Sequence, residues 1–354
     1  MNILKINISL LISFVSFTLS TAAMAESTAS ATRSQNTNFI NALNDTIKKN
    51  YVVEEKIPAI VASLSKQTSL NLENGVETET LLTNRLQVFD KHFVVQKVNL
   101  EPTPVDQPRI RATRESWSQR LARQNYGFDQ IKILDGNIGY LSFWGFADLT
   151  VDLKAKITSA LTFLAGVDAL IIDLRENGGG SAESVRYLSS HFIEGKVHLN
   201  SFYHRPTQTT QEFWTLPEIS NPNFEQLPLY ILISNKTFSA AEEFTYNFKH
   251  LDRAIILGEP SKGGANPWQW FNLPNNYRIA LPVSMAVNPV TKKNWEGVGV
   301  QPHCLIDKEQ LSVAHSLALQ HLDKASAAKS KKRVKNAIDL SYCAHGLDQR
   351  MTEN

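Results

Sequence analysis

The chain has 354 residues, 42% of them hydrophobic and 20% charged, a composition that fits a globular protein of one large domain or two modest ones. Its formal net charge of +2 becomes +1 once Lys5 is set aside with the N-terminal segment, which leaves no basic field for phosphate backbones and excludes nucleic acid as a partner. The nine histidines are scattered without metal-ligand spacing, so no metal is expected, and no organic cofactor is implied.

Residues 1–25 read as a signal peptide. MNILK supplies a positive start, ISLLISFVSFTL an apolar run, and Ala23-Met24-Ala25 the small-x-small pattern before a cleavage at Glu26. An uncleaved anchor is the alternative, disfavoured because the run is short and broken by serines. No later segment is apolar enough to span a bilayer, so the protein is expected to be exported, periplasmic or extracellular, without stable membrane insertion after cleavage. Export makes a disulfide between Cys304 and Cys343 plausible on redox grounds, with two free thiols as the alternative.

A helical domain is expected over residues 34–100. Phe39, Ile40, Leu43 and Ile47 share one helical face, Ile57, Ile60 and Val61 a second, and Leu81, Leu82, Leu86 and Phe89 a third. EPTPVDQPR, with three prolines in nine residues, opens a linker over 101–125.

The core is expected over 126–325. IKILDGNIGYLSFW alternates around Asp135-Gly136-Asn137 as a hairpin does. Helical VDLKAKITSALTFLA, strand DALIIDL, helical AESVRYLSSHF, strand LPLYILIS, helical SAAEEFTYNFKH and strand RAIILGEP then follow in turn, which predicts a layered α/β domain whose sheet is buried on both faces. KASAAKSKKRVK reads as helix with a basic solvated face, leading into a tail over 326–354.

Glycine turns follow three of these strands, where α/β sheets place their chemistry. Gly178, Gly179 and Gly180 allow positive φ and close backbone approach, although such a turn by itself is a weak signal. Ser239 after LPLYILIS has two readings. As a helix cap it would pair with Glu242 in a capping box. As a nucleophile it would need a base and oxyanion donors, which the Ala240 N–H and the glycine turn are positioned by sequence to supply.

Taken in order, DLRENGGG, FSAAEEF, ILGEPSKGGANP and WEGVGVQP resemble the core of the S41 serine peptidases, which include carboxyl-terminal processing proteases, tricorn-type proteases and retinoid-binding-protein-like repeats. The resemblance covers roughly residues 126–305. It implies a ClpP/crotonase-like α/β core with a small N-terminal helical domain and Ser239 as nucleophile. Residues 103–130 are too short for a PDZ domain, so no PDZ insertion is expected.

The processing proteases pair their serine with a lysine in a GEPxxGKG segment, and here Gly264 holds the lysine position. Lys262, two residues earlier, is a lesser candidate base. The tricorn-type and retinoid-binding-like branches instead carry a histidine before the core and a glutamate in a WEGVGV-like segment, matched by His92 in FDKHF and by Glu296. Lys91 stands where tricorn-type enzymes have a serine, and Asn266 where many relatives have a histidine.

The resemblance therefore implies a peptidase acting on peptide or protein through an acyl-enzyme on Ser239, with His92 as base and Glu296 supporting it. Ala240, Gly179 and Gly180 are assigned to the oxyanion, and Gly263, Gly264 and Asn266 to substrate, with loop support the other role open to Asn266. Substrate is expected between the helical domain and the core. The rival from another class is a binding protein for an apolar ligand, a retinoid or fatty acid, on the same scaffold.

Overall fold

A computed structural model describes residues 9–65, 70–98, 115–217, 219 and 224–328. The chain divides into two compact units. The first comprises residues 1–89, 93–102 and 269–281, and the second residues 90–92, 103–268 and 282–354.

In the first unit lie α1 (Ser9–Asn50), α2 (Ile57–Ser65), α3 (Gly75–Leu86) and β1 (Val94–Lys97). Phe39, Leu43, Ile47, Ile60, Leu64, Leu82 and Leu86 are each fully buried, whereas Ile57, Val61, Leu81 and Phe89 of the expected apolar faces are half-buried. Asn74 caps α3 by accepting from the Glu77 N–H. The unit also recruits a distant hairpin. β9 (Trp268–Leu273) and β10 (Tyr277–Pro282) form a three-stranded sheet with β1 in the order β1-β10-β9, and Val94 pairs with Ala280.

The second unit is a mixed α/β fold on a central sheet. Its elements are α4 (Trp117–Arg123), β2 (Phe128–Leu134), β3 (Ile138–Phe143), α5 (Val151–Phe163), β4 (Ala169–Asp173), α6 (Ala182–Ser189), β5 (His198–His204), β6 (Thr209–Trp214), β7 (Leu229–Ile233), α7 (Ala240–His250), β8 (Ile255–Gly258), β11 (Ser284–Val287), β12 (Cys304–Leu305) and α8 (Gln310–Ala328). The six-stranded sheet runs β12-β8-β7-β4-β3-β2. β2 and β3 are the antiparallel hairpin, turning at Asp135-Gly136-Asn137, and the other neighbours are parallel.

Alternation along the parallel strands divides the core between the two faces. Leu170, Ile172, Ile231, Ile233 and Ile256 pack with α5, α6 and α7, whereas Ala169, Ile171, Tyr230, Leu232 and Leu257 pack with α8 through Ala314, Leu317 and Ala318. Every residue of β4 and β7 is buried, and each fully buried Leu or Ile adds about 1.5–3 kcal/mol relative to exposure. A rigid sheet edge results, with β4, β7 and β8 ending in parallel where the glycine turns begin. A second small sheet, β11-β5-β6, was not foreshadowed by periodicity.

α8 ends at Ala328, so KSKKRVK and Cys343 lie outside the described residues. Cys304 is engaged in a disulfide. Among the described residues no helix is long and apolar enough to cross a membrane.

Candidate active site

β7 ends at Ile233, and the chain turns through Ser234–Phe238 before α7 begins at Ala240. Thr237 fixes that turn, since its Oγ1 donates to the Leu174 carbonyl and accepts from the Ser234 N–H. Ser239 sits at the join with φ 54° and ψ −118°, in a capping-box arrangement with Glu242. Its backbone N–H donates to Glu242 Oε2 at 2.8 Å. The capping box expected from sequence is thus present, and it sets the Ser239 side chain at the positive end of α7. A non-glycine residue in this conformation stores about 1–3 kcal/mol of strain, of the kind found where a sharp strand-to-helix turn presents a nucleophile.

The turn after β4 meets Ser239 directly. A Cβ placed on Gly179 (φ 90°) would lie 2.7 Å from Ser239 Cβ and 2.9 Å from the Ala240 nitrogen, so only glycine fits. Asn177, fully buried, organises this turn. Its Nδ2 donates to the Phe143 carbonyl, its Oδ1 accepts the Gly179 N–H at 2.9 Å, and its carbonyl accepts the Phe238 N–H. The Gly179 N–H, assigned from sequence to the oxyanion, is therefore occupied within the turn. The N–H groups of Ala240 and Gly180 are not consumed by the turn's own hydrogen bonds.

The loop after β8 behaves differently from expectation. Gly263, Gly264 and Asn266 were assigned to substrate, but all three are buried. Gly263 and Gly264 donate to Glu242 at 2.6 and 2.9 Å, while their carbonyls accept from the Gly297 N–H and from Trp295 Nε1. Their backbone groups are turned inward, which corrects the assignment. Glu242, fully buried, gathers four donors in all, from Ser239, Gly263, Gly264 and the Ser261 hydroxyl. Burial pushes its carboxyl up to about 7, and these hydrogen bonds oppose that rise.

His92 belongs to the same unit as Ser239. Its ring packs against Phe238 with centroids 4.6 Å apart, and its Cε1 lies 2.8 Å from where a Gly264 Cβ would stand. Gly264 is thus a neighbour shared by His92 and, through Glu242, by the Ser239 backbone. His92 Nδ1 lies 3.6 Å from Asp90 Oδ1. One side-chain atom each from Asp90, His92 and Glu296 fall within 4.8 Å of one another. Glu296 Oε2 accepts the Ala265 N–H at 2.7 Å, and Asn266 Nδ2 donates to Asp90 Oδ2 at 2.8 Å. Asp90, Asn177 and Glu242 are site residues that sequence reasoning did not assign to the site. Their only signal was position: two residues before the histidine, beside the glycine run, and three after the serine.

Lys262, the lesser candidate base, is exposed, with Nζ 4.6 Å from the Phe238 ring centroid. Arg175 and Glu176 do not pair with each other. Arg175 binds Asp173 and Lys236 binds Glu176. A cleft at the carboxyl ends of β3, β4, β7 and β8 is lined by Tyr140, Asp173, Arg175, Lys236 and Glu259 among others, but not by Ser239, His92 or Glu296. Tyr140 faces it with its phenol pushed up to about 12 by burial and by the adjacent Asp173.

Comparison with known proteins bears on the family and the fold. Residues 137–306 match the model of Peptidase family S41. Carboxyl-terminal-processing peptidase 2, chloroplastic, of Arabidopsis thaliana is 26% identical over 167 residues, which are 47% of this chain and 31% of that protein. The chain thus spans about a third of that relative's length. Among solved structures, a putative peptidase from Parabacteroides merdae superposes with a TM-score of 0.59 at 16% identity, covering 80% of this chain and 96% of that one. A lipoprotein from Streptococcus agalactiae gives 0.54 at 15%, with the same coverage. At such identities the two structures speak for the fold alone.

Proposed function

With its residues 137–306 placing the chain in peptidase family S41, we propose that the protein is an exported serine peptidase of ClpP/crotonase-like core. Ser239 is the nucleophile, His92 the base and Glu296 a support for the imidazolium. The observation that carries this reading is Ser239 itself, at positive φ and pressed against a glycine turn at the positive end of α7.

In the first step Ser239 Oγ attacks the peptide carbonyl carbon as its proton passes to a ring nitrogen of His92. The carbonyl oxygen, now negative, takes hydrogen bonds from the N–H groups of Ala240 and Gly180. His92 returns the proton to the departing amine as the C–N bond breaks, and water then releases the acyl group by the same route in reverse. Residues 1–25 are read as the export signal, and intact mass of the exported protein would reveal cleavage before Glu26.

Labelling of the purified protein with a fluorophosphonate, read by intact mass, tests the assignment. Stoichiometric labelling is expected, lost in Ser239→Ala, reduced at least about 10³-fold in rate in His92→Ala, and within about threefold of wild type in Lys262→Ala, whose exposed cation–ring contact amounts to about 0.5–1 kcal/mol. Absence of labelling in the wild type from mildly acid to mildly alkaline pH would overturn the catalytic reading and leave a scaffold that binds an apolar ligand.

A further inference from the structure

Asp90 is a carboxylate buried beside the base, 1% exposed, two residues before His92. Both its oxygens are engaged. Oδ1 accepts the backbone N–H of His92 at 3.0 Å and stands 3.6 Å from His92 Nδ1, and Oδ2 accepts from Asn266 Nδ2 at 2.8 Å. Asn266 is itself fully buried, so this clamp is shielded from water, where such a bond counts for more than at the surface. His92 is 6% exposed, and its Nδ1 has no hydrogen-bond partner among the described residues. A buried ring nitrogen facing a fixed carboxylate oxygen has one inexpensive state: it carries the proton and a slight rotation of the ring completes the bond.

We propose that Asp90, clamped by Asn266, is the positioning residue for His92. It holds the imidazole as the Nδ1–H tautomer, leaves Nε2 as the nitrogen that takes the Ser239 proton, and compensates the positive charge that forms on the ring. Glu296 then supports the ring chiefly through the loop on which it rests. Its Oε2 is bound to the Ala265 N–H, next to the Trp295 to Gly264 hydrogen bond, so it fastens the glycine loop against which the His92 ring rests. The charged groups around the ring are Asp90 on its own loop, Glu296 across from it, and Lys262, whose ammonium lies on the Phe238 ring that His92 packs against. Asp90 and Asn266 form the bond that spans 176 residues of chain, joining the segment that bears the base to the loop after β8.

The role given to Nε2 rests on the proposed peptidase reading, but the tautomer can be measured without catalysis. Long-range proton–nitrogen NMR spectra of the full chain labelled with ¹⁵N-histidine report which ring nitrogen carries the proton, and the His92 signals are identified by their loss in His92→Gln. The expected result is Nδ1–H at His92 in the wild type and loss of that tautomer in Asp90→Asn, with the other histidine signals unchanged. Fluorophosphonate labelling should slow about 10²-fold or more in Asp90→Asn and less than about tenfold in Glu296→Gln. Should Asp90→Asn fail to fold, Asn266→Ala removes only the clamp and should shift the His92 tautomer population in the same direction.

An Nε2–H tautomer in the wild type, or an Nδ1–H that survives Asp90→Asn and Asn266→Ala but is lost in Glu296→Gln, overturns the assignment. A wild type that does not label but whose His92 tautomer depends on Asp90 would sink the peptidase reading and leave this one standing.

Discussion

Two glycine-rich segments flank Ser239, one after β4 and one after β8, and they do opposite things. The Gly178–Gly180 turn lies against Ser239 and leaves the Gly180 N–H clear of its own bonding, while Asn177 takes up Gly179. The Gly263–Gly264 loop turns both N–H groups inward onto Glu242 and both carbonyls onto Gly297 and Trp295. The difference does not lie in the glycines. It lies in what faces them, a neutral amide in one case and a buried carboxylate with room for four donors in the other. A glycine run therefore marks where backbone comes close, and the neighbouring acceptor decides whether that backbone serves chemistry or architecture.

Removing the acceptor should have the largest effect. Glu242→Ala strands donors on Ser239, Ser261, Gly263 and Gly264 at once. With about 1–3 kcal/mol for each unsatisfied buried group, and the losses less than additive, at least about 3 kcal/mol of stability should go, together with all labelling of Ser239. Chemical denaturation and fluorophosphonate labelling measure the two, and Glu242→Gln, which keeps one acceptor oxygen, should fall between. Wild-type stability in Glu242→Ala would mean the loop is held by something else.

Next in size is a methyl group added to either segment. Gly179→Ala meets backbone, 2.6 Å from the Phe238 carbonyl oxygen, at a φ of 90°, whereas Gly264→Ala meets the ring of Phe238 and the imidazole of His92. Backbone cannot step aside and rings can. Gly179→Ala is expected to lose labelling by about 10²-fold or more, and Gly264→Ala by roughly tenfold, with a displaced His92. Equal labelling rates in the two would erase the distinction between them.

The smallest effect concerns the next residue on α7. Glu243 is buried too, but no ring of backbone donors surrounds it. Burial pushes its carboxyl up to about 8, a rise that Asn200 opposes and Glu183 adds to. The folded value exceeds the unfolded one of 4.5, so the unfolded state gives up its proton first as pH rises. Stability should then be highest at acid pH and decline as pH climbs from about 4.5 through 8. Glu243→Gln should flatten that decline, read as denaturation midpoints at about pH 5, 6.5 and 8. An unchanged slope would show that Glu243 is not the group responsible.

Much of the frame was legible before any coordinates. The continuous apolar runs of ALIID and LYILI, the Asp135-Gly136-Asn137 turn and the buried centres of the three apolar faces in the first unit are local signals that the structure repeats. β5 and β6 were not read, because HLNSFYH and TTQEFW carry polar residues on both faces and pair only with each other and β11. β9 and β10 were missed although Asn275 and Asn276, both at positive φ, mark their turn. Within the site, Ser239, His92 and Glu296 could be named from a resemblance in motif order. Asp90 and Glu242 could not, since most of the donors that set their duty are brought by the fold from 19 to 176 residues away. Sequence shows the acid, and only three dimensions show its company.

The pairing of Val94 with Ala280 has a consequence for how the protein comes into being. The first compact unit cannot complete its sheet when its own helices leave the ribosome, because β10 is made only after most of the α/β core, β2 to β8 included. Synthesis at about 5–20 residues per second leaves β1 without its partner for some ten seconds or more. Shortening the chain before residue 277 would therefore injure the beginning of the protein as well as its end, and the order in which the polypeptide appears is not the order in which its parts can finish folding.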